Sequence, residues 1–280
     1  MKTLVIGGTG TIGRLVIDEL VQQNVSVRVL ITSPEQATLF PNDVETVVGH
    51  LEQPATLPKA FNDIDTVALL NQRCPTEGAQ GQYAIAAAKR AGVRKMVYLS
   101  QYKVRRIPHL KAKVIIENVL TQTGMEFVMI CPTLVYQNDL IIGSSIASYG
   151  IPPQPIDDQG VNRVDARDVA DATVKAIVTD EFNGLSIPLV GPQSVRVAQS
   201  DDQSGGEPSA STNNSATDQS LATWLVEDWR KTYQCMLEEG LQVSADDVAF
   251  CTDVLERAPR SYADFLADHV PAFQPILELA

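Results

Sequence analysis

Positive charge is scarce in this chain of 280 residues: 22 Lys and Arg face 34 Asp and Glu, a formal net charge of −12. Nucleic acids and anionic lipid surfaces are held through clustered Lys and Arg, so neither is an expected partner. Long apolar runs are missing too. None approaches the ~20 residues of a membrane-spanning helix, and membrane insertion is not expected. Histidine is limited to His50, His109 and His269, and cysteine to Cys74, Cys131, Cys235 and Cys251. No two cysteines form a CxxC pair and the histidines lie far apart, so no metal site is readable and reduced thiols are expected. A strand beginning at residue 2 leaves no room for a leader peptide, which together with reduced thiols points to the cytoplasm.

Glycine is concentrated where it matters. The apolar run at 3–6 leads directly into Gly7-Gly8-Thr9-Gly10-Thr11-Ile12-Gly13, and a helical pattern follows with Ile12, Leu15, Val16, Leu20 and Val21 on one side. One glycine turns the chain out of the strand, one lets backbone N–H groups approach a pyrophosphate, and one lets the helix pack closely on the sheet. The helix N-terminus adds unpaired donors and a partial positive charge. Gly7, Thr9, Gly10, Thr11, Ile12 and Gly13 are therefore expected to hold a dinucleotide, the alternative being a tight strand–helix turn. An acidic chain can still do this, because backbone amides rather than net charge hold the phosphates.

Strand-like runs at 3–6, 26–31, 44–48, 66–70, 95–99, 126–130 and 186–190 alternate with helical stretches near 11–23, 77–91, 110–123 and 166–179. Such alternation predicts an α/β fold with a doubly wound parallel sheet, and strands apolar throughout predict that both faces are covered. Residues 199–220 carry no large apolar side chain and are expected to form a flexible polar insertion. Beyond them, 221–237, 244–257 and 261–269 read as helices, with Ser244 and Asp247 spaced as an N-cap pair. The expected division is a dinucleotide-binding domain over 1–198, the insertion, and a small, mostly helical region over 221–280 that packs over the carboxyl ends of the strands on the substrate side.

The glycine turn resembles the cofactor loop of extended and atypical short-chain dehydrogenase/reductases. His109-Leu110-Lys111-Ala112-Lys113 with Glu117, and Gly124-Met125-Glu126-Phe127, are similar to the His, Lys and Glu on a helix, followed by a strand, of the NmrA-like family. Val164-Asp165-Ala166-Arg167-Asp168-Val169-Ala170 and Arg257-Ala258-Pro259-Arg260-Ser261-Tyr262-Ala263-Asp264-Phe265 also resemble segments of that family. The likeness covers 1–198 well and 221–275 loosely. It implies a Rossmann sheet, NAD(P) binding, and a helix lysine, Lys113, that faces the nicotinamide ribose and acts as a proton donor. Its alternative is a solvated lysine like Lys111.

Other positions follow from their place at strand ends. The second strand ends at Thr32, where an acid would bind a ribose diol and an arginine a 2′-phosphate. Thr32 is neither. The missing acid removes repulsion toward a 2′-phosphate, and with Thr32, Ser33 and Arg14 as donors the charge argument favours NADP(H) over NAD(H). His50 reads first as an ordinary loop histidine, with an adenine contact as the alternative. Asn71 is expected to touch ribose or phosphate, Ser100 to bond the nicotinamide ribose or substrate, and Pro132 to line the nicotinamide pocket. Tyr98-x-x-x-Tyr102 and Tyr102-x-x-x-Arg106 stand where a Tyr-x-x-x-Lys pair would be needed, and Arg does not replace Lys geometrically. Tyr98 reads as core, and Asp165 and Asp168 as caps and anchors of a helix start.

The expected function is an oxidoreductase that passes hydride between NAD(P)H and a small uncharged carbonyl, quinone or conjugated substrate, with Lys113 and Ser100 as catalytic residues. The alternatives are a non-catalytic NAD(P)-sensing protein docked on a regulated partner, which the missing Tyr-x-x-x-Lys pair supports, and an assembly factor with a vestigial glycine loop. Fold alone does not choose among them.

Overall fold

The run Leu4-Val5-Ile6 has no polar face to turn to water, and it is buried on both sides. In the computed structural model, which describes residues 1–140, 160–195, 231, 232, 235 and 242–277, this run forms β1 (Lys2–Ile6). The chain continues through α1 (Thr11–Gln22), β2 (Ser26–Ile31), β3 (Glu45–Val48), α2 (Pro58–Phe61), β4 (Thr66–Leu69), α3 (Glu77–Ala91) and β5 (Lys95–Leu99). Then come α4 (Lys111–Thr121), β6 (Glu126–Pro132), β7 (Leu134–Val135), β8 (Val161–Val164), α5 (Ala166–Val178), β9 (Ser186–Leu189), β10 (Ser194–Val195), α6 (Ala245–Leu255) and α7 (Tyr262–Leu277).

Seven strands make one sheet in the order β3-β2-β1-β4-β5-β6-β9, and every neighbouring pair is parallel. The order reverses between β1 and β4, which opens a crevice at their carboxyl ends. On one face α1 and α5 pack through Val16, Ile17, Leu20, Val169 and Ile177, joined by Cys251 and Val254 of α6. On the other, Phe61 of α2, Ala84, Ile85 and Ala88 of α3 and Ile116 and Leu120 of α4 cover the sheet. This double cover is the reason the strands read as unbroken apolar runs. No helix among the described residues is long and apolar enough to cross a membrane.

The sequence pattern locates all seven main strands, but β6 runs on to Pro132. It misses β7, β8 and β10, which form a small second sheet in the order β10-β8-β7; two to four residues carry too little periodicity to be read. The insertion 199–220 lies outside the described residues, as does the helix over 221–237 except for Lys231, Thr232 and Cys235. The described part of the C-terminal region contacts residues that follow β5 and β6. The Tyr102 hydroxyl, beyond β5, donates to Asp247 at 2.8 Å, and the Tyr136 ring, beyond β6, packs at a tilt against Tyr262 and Phe265 of α7. Ser244 and Asp247 form the expected capping box at α6.

Asp165 caps α5 from a fully buried position, accepting from Arg167 N at 2.9 Å, the Arg167 guanidinium and Gln137 Nε2. Burial pushes its carboxyl up, but the bonds from Arg167 and Gln137 outweigh this and hold it below the ordinary 3.8. A depressed folded value contributes stability above the unfolded pKa, and that contribution is lost as pH falls through the folded value. Asp165→Asn is therefore expected to melt below wild type at about pH 7, with the gap narrowing by about pH 3. An equal gap at both pH values would rule this out.

Candidate functional site

Gly7 leaves β1 with φ +88°, a conformation that L side chains rarely adopt, and so turns the chain sharply toward α1. A Cβ on Gly13 would stand 2.2 Å from the Gly7 carbonyl oxygen and 2.8 Å from Gly8 Cα. The first turn of α1 can lie this close to the strand only without a side chain. Gly10 is the N-cap; it makes no side-chain cap bond, and no acidic residue occupies the first turn. The N–H groups of Thr11, Ile12 and Gly13 therefore have neither an intrahelical partner nor a neighbouring carboxylate. An anion is the ligand such an end suits.

This helix end opens into a cleft of about 660 Å³ along the carboxyl ends of β1, β2, β4 and β5. Gly7, Thr9, Gly10, Thr11, Ile12, Gly13, Thr32, His50 and Asn71 all line it. The structure thus gathers most of the sequence-identified residues in one place. Gln36, Gln72, Arg73, Gln80, Gln137 and Asn138 also line the cleft and were missed, because single polar residues in loops or on a helix carry no pattern that marks them as lining.

At the β2 end, Thr32 N and Thr32 Oγ1 both donate to Gln36 Oε1, at 2.8 and 3.1 Å. Among the described residues, no carboxylate side chain lines the cleft. Arg14 is not among the lining residues; its Nε is turned back onto the Thr9 carbonyl at 3.2 Å. His50 Nδ1 accepts from Glu52 N at 3.2 Å.

Toward β4 and β5 the arrangement changes. Asn71 is 7% exposed; its Nδ2 donates to the Glu77 carbonyl at 3.4 Å, and its Oδ1 has no partner. A buried acceptor without a donor is costly unless a ligand supplies one, and the ribose hydroxyls of a dinucleotide are such donors. The donors at α1 and this acceptor together fit a dinucleotide.

Lys113, Ser100 and Pro132 stand behind the cleft wall rather than on it. Lys113 Nζ lies 3.0 Å from Glu77 Oε1 and donates to the Leu99 carbonyl at 3.1 Å. Ser100 Oγ donates to Glu117 Oε1 at 2.6 Å. The Pro132 carbonyl accepts from Tyr102 N at 2.8 Å and Gln101 Nε2 at 2.9 Å. Leu99, Val135, Gln137 and Asn138 form the wall itself at this end.

Neither tyrosine is prepared to give up a proton. Burial, with Glu77 and Glu117 nearby, pushes Tyr98 well above 10.0, and it is fully buried as expected of core. Burial and the bond to Asp247 likewise raise Tyr102. Burial pushes the Cys131 thiol up to about 12, which keeps it protonated and inert. No cluster among the described residues could hold a metal ion.

The NAD(P)H-binding family's sequence model matches residues 7–180. The chain is 27% identical to the NAD(P)H azoreductase of Xenophilus azovorans, over 96% of this chain and 98% of that protein. It is also 27% identical to the photosystem II assembly factor Ycf39 of Synechocystis, over 68% of this chain and 63% of that one. Among solved structures, an NADPH-dependent quinone oxidoreductase from Escherichia coli complexed with NADPH superposes with a TM-score of 0.76 over 95% of this chain and 99% of its own, at 16% identity. At that identity the likeness is one of fold.

Proposed function

Since this chain belongs to the NAD(P)H-binding family, we propose that it is a reductase that passes hydride from NAD(P)H to a small conjugated acceptor such as a quinone or an azo compound. The observation that carries this reading is the start of α1, which has no side-chain cap and no acid in its first turn, opening on a cleft that also presents the unpaired acceptor Asn71 Oδ1. The N–H groups of Thr11, Ile12 and Gly13 would hold the pyrophosphate, Thr32 and Gln36 the adenosine ribose, and Asn71 a ribose hydroxyl. The nicotinamide, when bound, supplies the hydride.

The choice of acceptor follows from what the wall lacks. Leu99, Val135, Gln137 and Asn138 include no acid, and the described lining residues that can carry a charge are His50 and Arg73. A simple carbonyl needs a proton as hydride arrives. A quinone or azo group spreads the incoming charge and can take its proton from water. Lys113 and Ser100 would then serve the reaction by holding the wall, Lys113 through the Leu99 carbonyl and Ser100 through Glu117. No carboxylate is among the described residues that line the cleft, Glu35 being bonded to Ser33 outside it, and this favours NADP(H) over NAD(H). The same lack of an acid also supports the second reading, a cofactor-sensing protein that docks on a partner, and the likeness to an assembly factor points the same way.

Fluorescence titration of the purified protein is expected to give micromolar binding of NADPH, tighter than NADH, followed by steady oxidation with a quinone or azo panel. No binding of either cofactor up to about 1 mM, the upper end of usual KM values, would refute both readings. Binding without turnover on any acceptor would leave the sensor.

A further inference from the structure

Behind the cleft wall, α3 and α4 come together at their first turns. A Cβ added to Gly78 would rest only 3.6 Å from Ala112 Cα and Cβ, so the two backbones run close there. Glu77, the first residue of α3, is 4% exposed, and its carboxylate stands 3.0 Å from the ammonium of Lys113, also 4% exposed. The same ammonium donates to the carbonyl of Leu99, a residue of the wall. Through its backbone, Glu77 accepts from Asn71 Nδ2, and this contact leaves Asn71 Oδ1 as the unpaired acceptor. One residue thus meets both groups that shape the β4–β5 half of the cleft, Lys113 as an ion pair in which Glu77 Oε1 takes no hydrogen bond, and Asn71 through a backbone hydrogen bond.

Stability alone does not explain this arrangement. Desolvating two charges offsets most of their attraction, and an apolar pair of similar volume usually stabilises a core as well or better. We propose that Glu77 is a positioning residue: its carboxylate anchors Lys113 against the Leu99 carbonyl, its backbone orients Asn71, and together these present the β4–β5 half of the cleft to the nicotinamide nucleotide. The inference rests on the reading of the cleft as a dinucleotide site. In a doubly wound sheet the two mononucleotide halves lie on either side of the switch point. Glu77 therefore acts on one half of the ligand and not on the adenosine half, which lies toward Thr32 and Gln36.

Titrations of full-length Glu77→Gln with two probes test this, NADPH for the whole ligand and 2′,5′-ADP for the adenosine half. The Kd for NADPH is expected to rise at least about tenfold, the scale for losing a charge-assisted contact, while 2′,5′-ADP binds as to wild type. If the variant loses both probes equally, the damage is general and the inference falls. An unchanged NADPH affinity overturns it directly. If Glu77→Gln does not fold, Glu77→Asp keeps the charge and shortens the arm; it is expected to weaken NADPH at least about threefold, and an unchanged value again overturns the inference. Failure of wild type itself to bind either probe is a different result, which removes the dinucleotide reading.

Discussion

Gly13→Ala is expected to weaken NADPH binding by two orders of magnitude or more while leaving a folded protein. The added Cβ would meet the Gly7 carbonyl oxygen at 2.2 Å and Gly8 Cα at 2.8 Å, both backbone atoms with no rotamer through which to move away. The turn must open and the start of α1 must retreat from β1. Thr11, Ile12 and Gly13 then carry their N–H groups away from the place where a pyrophosphate would lie. Overpacking of this kind costs about 1–3 kcal/mol of stability, which a protein of this size can absorb. Gly124→Ala is the matching control. Gly124 has φ +78° with nothing within 4 Å of an added Cβ, so alanine there costs roughly 1–2 kcal/mol through backbone strain alone. The two variants should melt at similar temperatures and differ only in cofactor titration. Wild-type affinity in folded Gly13→Ala would refute the assignment of the turn.

Asp168→Ala should be the more damaging change to stability and nearly silent in binding. Asp168 is fully buried in the first turn of α5. It accepts from Arg257 at 2.6 Å, from the Arg260 backbone N–H at 2.7 Å and from the Arg260 guanidinium. Removing one partner of a buried pair costs about 3–5 kcal/mol. Arg257 and Arg260 are 36% and 30% exposed and retain Asp171, so about 3 kcal/mol, the low end, applies once solvent screening is counted. That corresponds to a fall in Tm of roughly 10 °C. Asp168 is not among the residues lining the cleft, so NADPH affinity of the folded variant should match wild type. An unchanged Tm would contradict the anchoring role, and a selective loss of cofactor would make Asp168 part of the site.

The glycine turn was legible because its constraints are local. A positive φ at Gly7 and the close approach at Gly13 act within seven residues, and no distant contact is needed to impose them. Asp165 as a cap and the Ser244–Asp247 box were legible for the same reason. Lys113 shows where local reading stops. The family resemblance implied that it faces the nicotinamide ribose; its charged partner in the structure is Glu77, 36 positions earlier, and no spacing rule links the two. Arg163 is a second example. No short pattern singles it out, yet it is fully buried, its guanidinium paired with Asp139 at 2.7 Å. The tripeptide Leu134-Val135-Tyr136 hides both a strand of the second sheet and the aromatic ring against which Tyr262 and Phe265 of α7 pack.

Periodicity along the chain by itself determined the strands and helices of an α/β sheet covered on both faces, and the glycines determined where a dinucleotide's phosphates would be held. These are consequences of hydrogen bonds and sterics between residues close in sequence. Only the tertiary structure decided the strand order that opens the cleft, the neutral Thr32–Gln36 pair at one end, and the buried Glu77–Lys113 pair behind the other. Each of these depends on which distant segments share a boundary, and that is set by burial over the whole fold rather than by any short pattern.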